Sequence, residues 1–145
     1  MKLIGKPEHV SREFLRSWLV ATGMVMRYHN HGLDLSTLKV EIKKLDDLDG
    51  CALPHRNTIR LEKTLPRERM AATIVHEMIH LAFRPGFDTD DCTSDERCTS
   101  TLTAKLKPSI AILASELEEG TYRRAAAIAL CRPGMAYQSS PGQPD

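Results

Sequence analysis

Five consecutive residues, His76 to His80, constrain this chain more than any other segment. They have the form His-Glu-x-x-His and lie within a run of apolar residues with helical spacing. Because four residues make slightly more than one turn of an α-helix, His76 and His80 share a face, and their imidazoles can reach one tetrahedral ion. Glu77 follows His76, where its carboxylate can accept a proton from water activated by that ion. The pattern predicts a zinc-binding helix with Glu77 as general base.

A chance occurrence of this motif is the simplest alternative. With the composition of this chain, a match is expected in roughly one or two per cent of shuffled sequences. The apolar neighbours of the motif also argue against an accidental match, because histidines buried among them need a partner such as a metal ion. These neighbours are Ile74, Val75, Met78, Ile79 and Leu81. The sequence therefore favours a metal site over an accidental match.

The third zinc ligand is less strongly determined by the sequence. A catalytic zinc takes three protein ligands and leaves a fourth position for water. No histidine follows His80, so the third ligand must be a downstream carboxylate, a cysteine or an upstream histidine. Glu96 is the first choice because it lies sixteen residues after His80, at the start of the next predicted helix. It also fits a helix-capping role with Thr93, and the substitutes are Asp95, Asp91 and Cys92.

Cysteines offer a second interpretation of a metal site. Cys92 and Cys98 flank Glu96, and both thiolates together with the two histidines would make a closed structural zinc site. Such a site would leave Glu77 without a role, so the open catalytic site is preferred. The remaining histidines considered as ligands are expected to be loop or hairpin residues: His29, His31 and His55.

Apolar periodicity predicts the elements of the first half of the chain. A helix is expected over residues 12–28 with Ser11 as its N-cap, and a strand over residues 38–45. Residues 51–53 and 58–61 should form an antiparallel pair joined by a short turn. The metal helix should begin at Pro66 and end at residues 84–86, which read Arg-Pro-Gly.

The second half of the chain is predicted to be helical. A helix should begin near Thr93 and end at residues 118–120, with Pro108 kinking or dividing it. A short helix over residues 122–131 should follow. The length of 145 residues suits one domain, which we place over residues 1–137, with a flexible tail over residues 138–145.

Composition excludes several classes of function. The chain has 20 Lys and Arg against 19 Asp and Glu, a net charge of +1, so nucleic-acid binding is not expected. It has neither a signal-peptide-like start nor an apolar run long enough to span a membrane. Four irregularly spaced cysteines suggest free thiols rather than a disulfide framework. We therefore expect a cytoplasmic protein.

With these residues identified, the chain resembles the zincin metallopeptidase superfamily over residues 50–108. It is most similar to the small gluzincin-like group, in which a glutamate from a second helix follows the His-Glu-x-x-His motif. The stretch from Asp95 to Pro108 is distantly similar to the glutamate-bearing helix of ImmA/IrrE-like metallopeptidases, although Cys98 and Thr99 replace the usual alanine and asparagine. The hairpin before the metal helix resembles the edge strand on which zincins bind extended peptides by strand addition.

The resemblance implies an α+β, minimal zincin-like fold. This fold would have an N-terminal helix, a small, mostly antiparallel sheet with an edge hairpin, the metal helix and further C-terminal helices. The implied function is hydrolysis of peptide bonds in a protein or peptide substrate, with one zinc ion per chain. The alternatives are a zincin-fold binding or regulatory module that retains zinc without turnover, and a metal-free helical scaffold. The substrate sequence and the oligomeric state stay open.

Overall fold

The architecture is α+β. The computed structural model describes residues 1–29, 32–83 and 92–120, except for the side chains of residues 92–96. This part of the chain contains three α-helices and a four-stranded sheet. The helices are α1 (Arg12–Tyr28), α2 (Arg67–Ala82) and α3 (Cys92–Glu118), and the strands are β1 (Lys2–Ile4), β2 (Lys39–Lys43), β3 (Gly50–Leu53) and β4 (Thr58–Glu62).

The sheet is mixed, with the strand order β1-β2-β4-β3. The pairs β1–β2 and β2–β4 are parallel, and only β3–β4 is antiparallel. The expectation of a mostly antiparallel sheet was therefore wrong. One reason is β1, which the sequence analysis did not identify: the chain returns from β1 to β2 through α1, and such a crossover makes neighbouring strands parallel.

One face of the sheet packs against helices and forms the core. In the parallel pair β2–β4, Val40 lies opposite Ile59 and Ile42 opposite Leu61, and all four are buried. The alternate residues of these strands carry charge, as in the Arg60 to Glu41 pair at 2.8 Å. This is the period-two pattern expected of a half-buried strand. The same apolar cluster reaches α1, α2 and α3.

Several predicted elements agree with the structure. Helix α1 has the expected bounds, and the Ser11 hydroxyl accepts a hydrogen bond from the Phe14 backbone N–H at 3.0 Å. The predicted hairpin is present as β3 and β4, with Cys51 opposite Arg60. A short 3-10 turn joins these strands and ends at Asn57, whose φ is +46°.

One of the two outcomes expected at Pro108, a division of helix α3, does not occur. The helix continues through this residue to Glu118, so the proline does not divide it. Pro108 is exposed, and its effect on the backbone hydrogen bonds therefore falls on the side of the helix that water can reach. Gly120, with a φ of +86°, follows the end of the helix as predicted.

Some predictions fall outside the described residues. These are the stop signal of the metal helix at residues 84–86, the helix over residues 122–131 and the tail over residues 138–145. None of the described helices combines the length and the apolar character that a membrane crossing requires.

Candidate metal centre

The core fixes the orientation of α2. This helix begins after Pro66, whose carbonyl accepts the Met70 N–H at 2.9 Å. Met70, Ile74 and Met78 are fully buried and follow one another at four-residue spacing. Because this apolar face is held against the sheet and the other helices, the directions of the intervening polar side chains are also fixed.

His76 and His80 project from α2 as a close pair. Their ring centroids are 4.9 Å apart and the rings are inclined at 76°. Two imidazoles that bind one tetrahedral zinc through nitrogens at ~2.1 Å are expected to have centroids about 5 Å apart. The pair therefore has the spacing that a shared zinc ion requires. Both side chains are half-buried.

Glu77 lies where the sheet edge meets α2. It is only 8% exposed. A Cβ atom at Gly50, the first residue of β3, would lie 2.7 Å from the Thr73 Cγ2 and 3.3 Å from the Glu77 Cγ. Only glycine permits this approach of the β3 backbone to α2. This role of Gly50 was not predicted from the sequence, although a glycine within a strand often marks a close approach of another backbone.

An open cleft of about 550 Å³ lies in front of His76 and Glu77. Two of its walls come from segments that were not predicted to belong to the site. One wall is the turn between β2 and β3, from Asp47 to Gly50, and the other is α3 at Ser100, Thr103 and Ala104. The cleft gives an extended ligand access to both proposed functional side chains.

The turn between β2 and β3 is anchored at both ends. At its far end, the Asp49 carboxylate accepts hydrogen bonds from Arg69 of α2 at 2.6 and 2.7 Å. At its near end, the Glu62 carboxylate accepts the Leu45 backbone N–H at 2.6 Å and the Thr64 hydroxyl at 2.7 Å. The Thr64 hydroxyl and the Leu45 N–H together lower the pKa of Glu62 to about 2. The wall of the cleft is therefore held in a defined position.

The third predicted ligand, Glu96, lies on α3, but its side chain is outside the described part of the structure. The side chains of Cys92 and Asp95 are likewise outside it, as is Asp91. The described side chains contain no group of three or more His, Cys, Asp or Glu residues arranged to hold a metal ion.

The register of α2 and α3 bears on position 96. The two helices run antiparallel, since Arg67 at the start of α2 pairs with Glu118 at the end of α3 at 3.4 Å. Further along, Lys107 pairs with Glu68 at 3.7 Å, and Ser100 lines the cleft together with His76. In this direction, the C-terminal half of α2, which carries His80, lies towards the N-terminal half of α3, which carries position 96.

Comparison of the chain with protein-family models, with curated proteins and with solved structures gives no match.

The two cysteines whose side chains are described do not favour a closed thiolate site. Cys98 is exposed, and it is not among the residues that line the cleft. Cys51 is half-buried on β3, opposite Arg60. His29 follows the end of α1, and His55 lies in the turn of the hairpin. His31 is outside the described residues.

Proposed function

We propose that this chain is a zinc-dependent metallopeptidase. The observation that carries the proposal is the close pair of His76 and His80 on α2, with His76 and the buried Glu77 lining an open cleft at the edge of the sheet. The spacing of the two imidazoles suits one shared zinc ion. A peptidase needs this metal pair, a general base and access for an extended chain, and the three features occur together here.

Zinc would be held by His76, His80 and Glu96, with one ion per chain. The antiparallel direction of α2 and α3 supports Glu96, because the end of α2 that carries His80 lies towards the start of α3, which carries position 96. Two nitrogen donors and one carboxylate form a ligand set that zinc accepts, and the set leaves a position for water. Bound zinc would supply Lewis-acid polarisation of the scissile carbonyl and lower the pKa of a water molecule.

Glu77 acts as the general base in this proposal. Its carboxylate accepts the proton from the attacking water and passes it to the leaving amine. Burial of the side chain, with Gly50 packed close to its Cγ, limits the rotamers of Glu77. Neither a serine nor a cysteine nucleophile is required.

The substrate would be an extended peptide segment that adds to β3. This strand lies at the end of the sheet and pairs with β4 on one side. Among the described residues no strand pairs with its other side, so its outward N–H and C=O groups can bind a peptide backbone. Because β3 begins at Gly50, beside Glu77, a peptide on this edge would pass the general base.

Zinc stoichiometry and proteolysis, measured on the same proteins, test this proposal. Wild type should carry one zinc and cleave a casein substrate, and His80→Ala and Glu96→Ala should lose both properties. Glu77→Gln should keep zinc and lose activity, because a neutral amide cannot accept the proton. The control is His55→Ala, an exposed histidine in the hairpin turn, which should behave as wild type.

Each alternative gives a different result. Wild type that neither contains zinc nor can be loaded with it would contradict the metal site itself. Zinc that is lost in His80→Ala but retained in Glu96→Ala would assign the third ligand to another residue. Full zinc occupancy without hydrolysis of casein or peptides would instead make the chain a zinc-containing binding module.

A further inference from the structure

The β2–β3 turn, residues 44–49, places an acidic wall along the cleft. Asp47, Asp49 and Glu77 all line it, and no lysine or arginine is among its described lining residues. The Asp49 charge is balanced by Arg69, which contacts both carboxylate oxygens. Asp47 is exposed, and no cation of the described chain pairs with it. One carboxylate of the wall is therefore available to a ligand.

The backbone that carries this carboxylate is held in a defined position. Asp47 has a φ of +59°, in the left-handed region, and lies between the two anchors of the turn at Glu62 and Arg69. The Glu62 backbone N–H also donates to the Asp49 carbonyl at 2.8 Å. A charge held on a rigid wall can select between ligands, because little conformational entropy is lost when the ligand binds.

Leu48 adds an apolar surface next to the charge. It is 53% exposed, and it lines the same cleft. Lysine and arginine side chains combine an aliphatic stem with a cationic end. The stem of such a side chain would lie on Leu48 while its cationic end reaches Asp47, whereas an acidic side chain would meet repulsion at the same place.

From this arrangement we infer that Asp47 and Leu48 select substrates with a lysine or arginine near the scissile bond. The inference deepens the proposed peptidase function and depends on the same cleft. Asp47 is a specificity residue in it, since it contacts the substrate and takes no part in the chemistry. The side chains of Ser100 and Ala104 on α3, which line the same cleft, are small and leave space for a long side chain.

Peptide binding tests the inference without requiring turnover. The probes are fluorescent alanine-based decapeptides with one lysine at each position in turn, and the matching series with glutamate. They are titrated into zinc-loaded Glu77→Gln protein. The best lysine peptide should bind about fivefold or more tightly than its glutamate counterpart, as expected for a pair of exposed charges. The difference should shrink at 0.5 M NaCl because salt screens exposed charges.

Two substitutions in the turn identify the residue responsible. Asp47→Asn should reduce the preference for lysine to less than about twofold, and Asp47→Lys should reverse it. The matched control is Asp46→Asn, which removes the same charge from the neighbouring exposed residue outside the cleft lining. It should preserve the preference. Equal binding of both peptide series, or equal effects of Asp46→Asn and Asp47→Asn, would overturn the inference.

Hydrolysis of the same peptides separates this inference from the proposed function. Cleavage by wild type without any charge preference would overturn the role of Asp47 and leave the peptidase proposal intact. Binding that depends on Asp47, together with a complete absence of cleavage, would support the role of Asp47 and overturn the peptidase proposal. The absence of both binding and cleavage would overturn both proposals.

Discussion

Glu62 shows how one carboxylate stabilises the region beside the cleft. Glu62 is the last residue of β4, and its carboxylate accepts hydrogen bonds from Leu45 and Thr64. The Lys44 Nζ lies 3.6 Å from the same carboxylate. These partners stabilise the charged form and lower its pKa from 4.5 to about 2. A group whose pKa is lower in the folded state stabilises the fold at pH values above its unfolded pKa.

The stability of the protein should therefore depend on Glu62 in acid. Its contribution is complete above pH 4.5 and should be lost as the pH falls from 4.5 towards 2. Glu62→Gln should lower the urea midpoint at pH 7, and the difference from wild type should shrink at pH 3. The exposed Glu119→Gln is the control and should leave the pH profile unchanged. A wild-type profile in Glu62→Gln would contradict this assignment.

Gly50 is the second residue whose effect can be predicted. In Gly50→Ala the new methyl would lie 2.7 Å from the Thr73 Cγ2 and 2.8 Å from the Arg60 carbonyl oxygen. Overpacking of this kind is expected to destabilise the fold by about 1–3 kcal/mol. Urea denaturation measures the loss. Thr73→Ser removes the Cγ2 contact, so the double mutant should be more stable than Gly50→Ala alone. If the losses of stability in the two single mutants simply add in the double mutant, the two sites do not interact.

At the scale of elements, α3 shows how a proline is accommodated inside a continuous helix. Pro108 lies inside a helix of 27 residues, which continues to Glu118. Burial of Leu106, Ile110 and Ala114 against the core stabilises the segment on both sides of the proline. Tertiary packing of this apolar face therefore outweighs the local penalty of the proline, which sequence analysis cannot weigh.

Replacement of this proline should stabilise the protein. Pro108 is exposed, so Pro108→Ala restores a backbone donor without disturbing the core. Proline costs about 3 kcal/mol relative to alanine in a helix interior, and we expect a gain of about 1–3 kcal/mol in the free energy of unfolding. Thermal denaturation measures it. Ser109→Ala, at the adjacent exposed position, should change the stability by less than about 0.5 kcal/mol. A loss of stability in Pro108→Ala would show that the proline is required for the packing of α3.

At the scale of the whole molecule, the proposed zinc would link α2 to α3. The described contacts between these helices include exposed pairs such as Lys107 with Glu68, which contribute little in water. A metal held by residues of both helices would bind only the folded state and so stabilise it by mass action. Metal content and global stability should therefore be coupled.

Removal of the metal should lower the melting temperature. A ligand at 100 times its Kd adds ~2.7 kcal/mol, which corresponds to several degrees for a domain of this size. Calorimetry before and after treatment with a chelator, followed by addition of zinc, measures the loss and its recovery. The melting temperature of His80→Ala should be the same with and without the chelator. Equal melting temperatures for untreated and chelated wild type would contradict a zinc link between the helices.

The sequence by itself determined the local features of this protein. Residues 12–28 form the expected helix because their apolar spacing and the Ser11 cap act within a few turns of chain. The spacing of His76 and His80 follows in the same way from helix geometry. The zinc ion, the roles of Glu77 and Glu96, and the peptidase activity stay predictions.

Only the tertiary structure decided how distant segments meet. It pairs β1 with β2 in parallel, places Gly50 against Glu77 and makes the β2–β3 turn a wall of the cleft. These contacts join residues far apart in the chain, and they depend on the combined burial of apolar surface by all the elements rather than on any local pattern. Periodicity identifies the buried face of each element, but the partner of that face is set by the packing of the whole core.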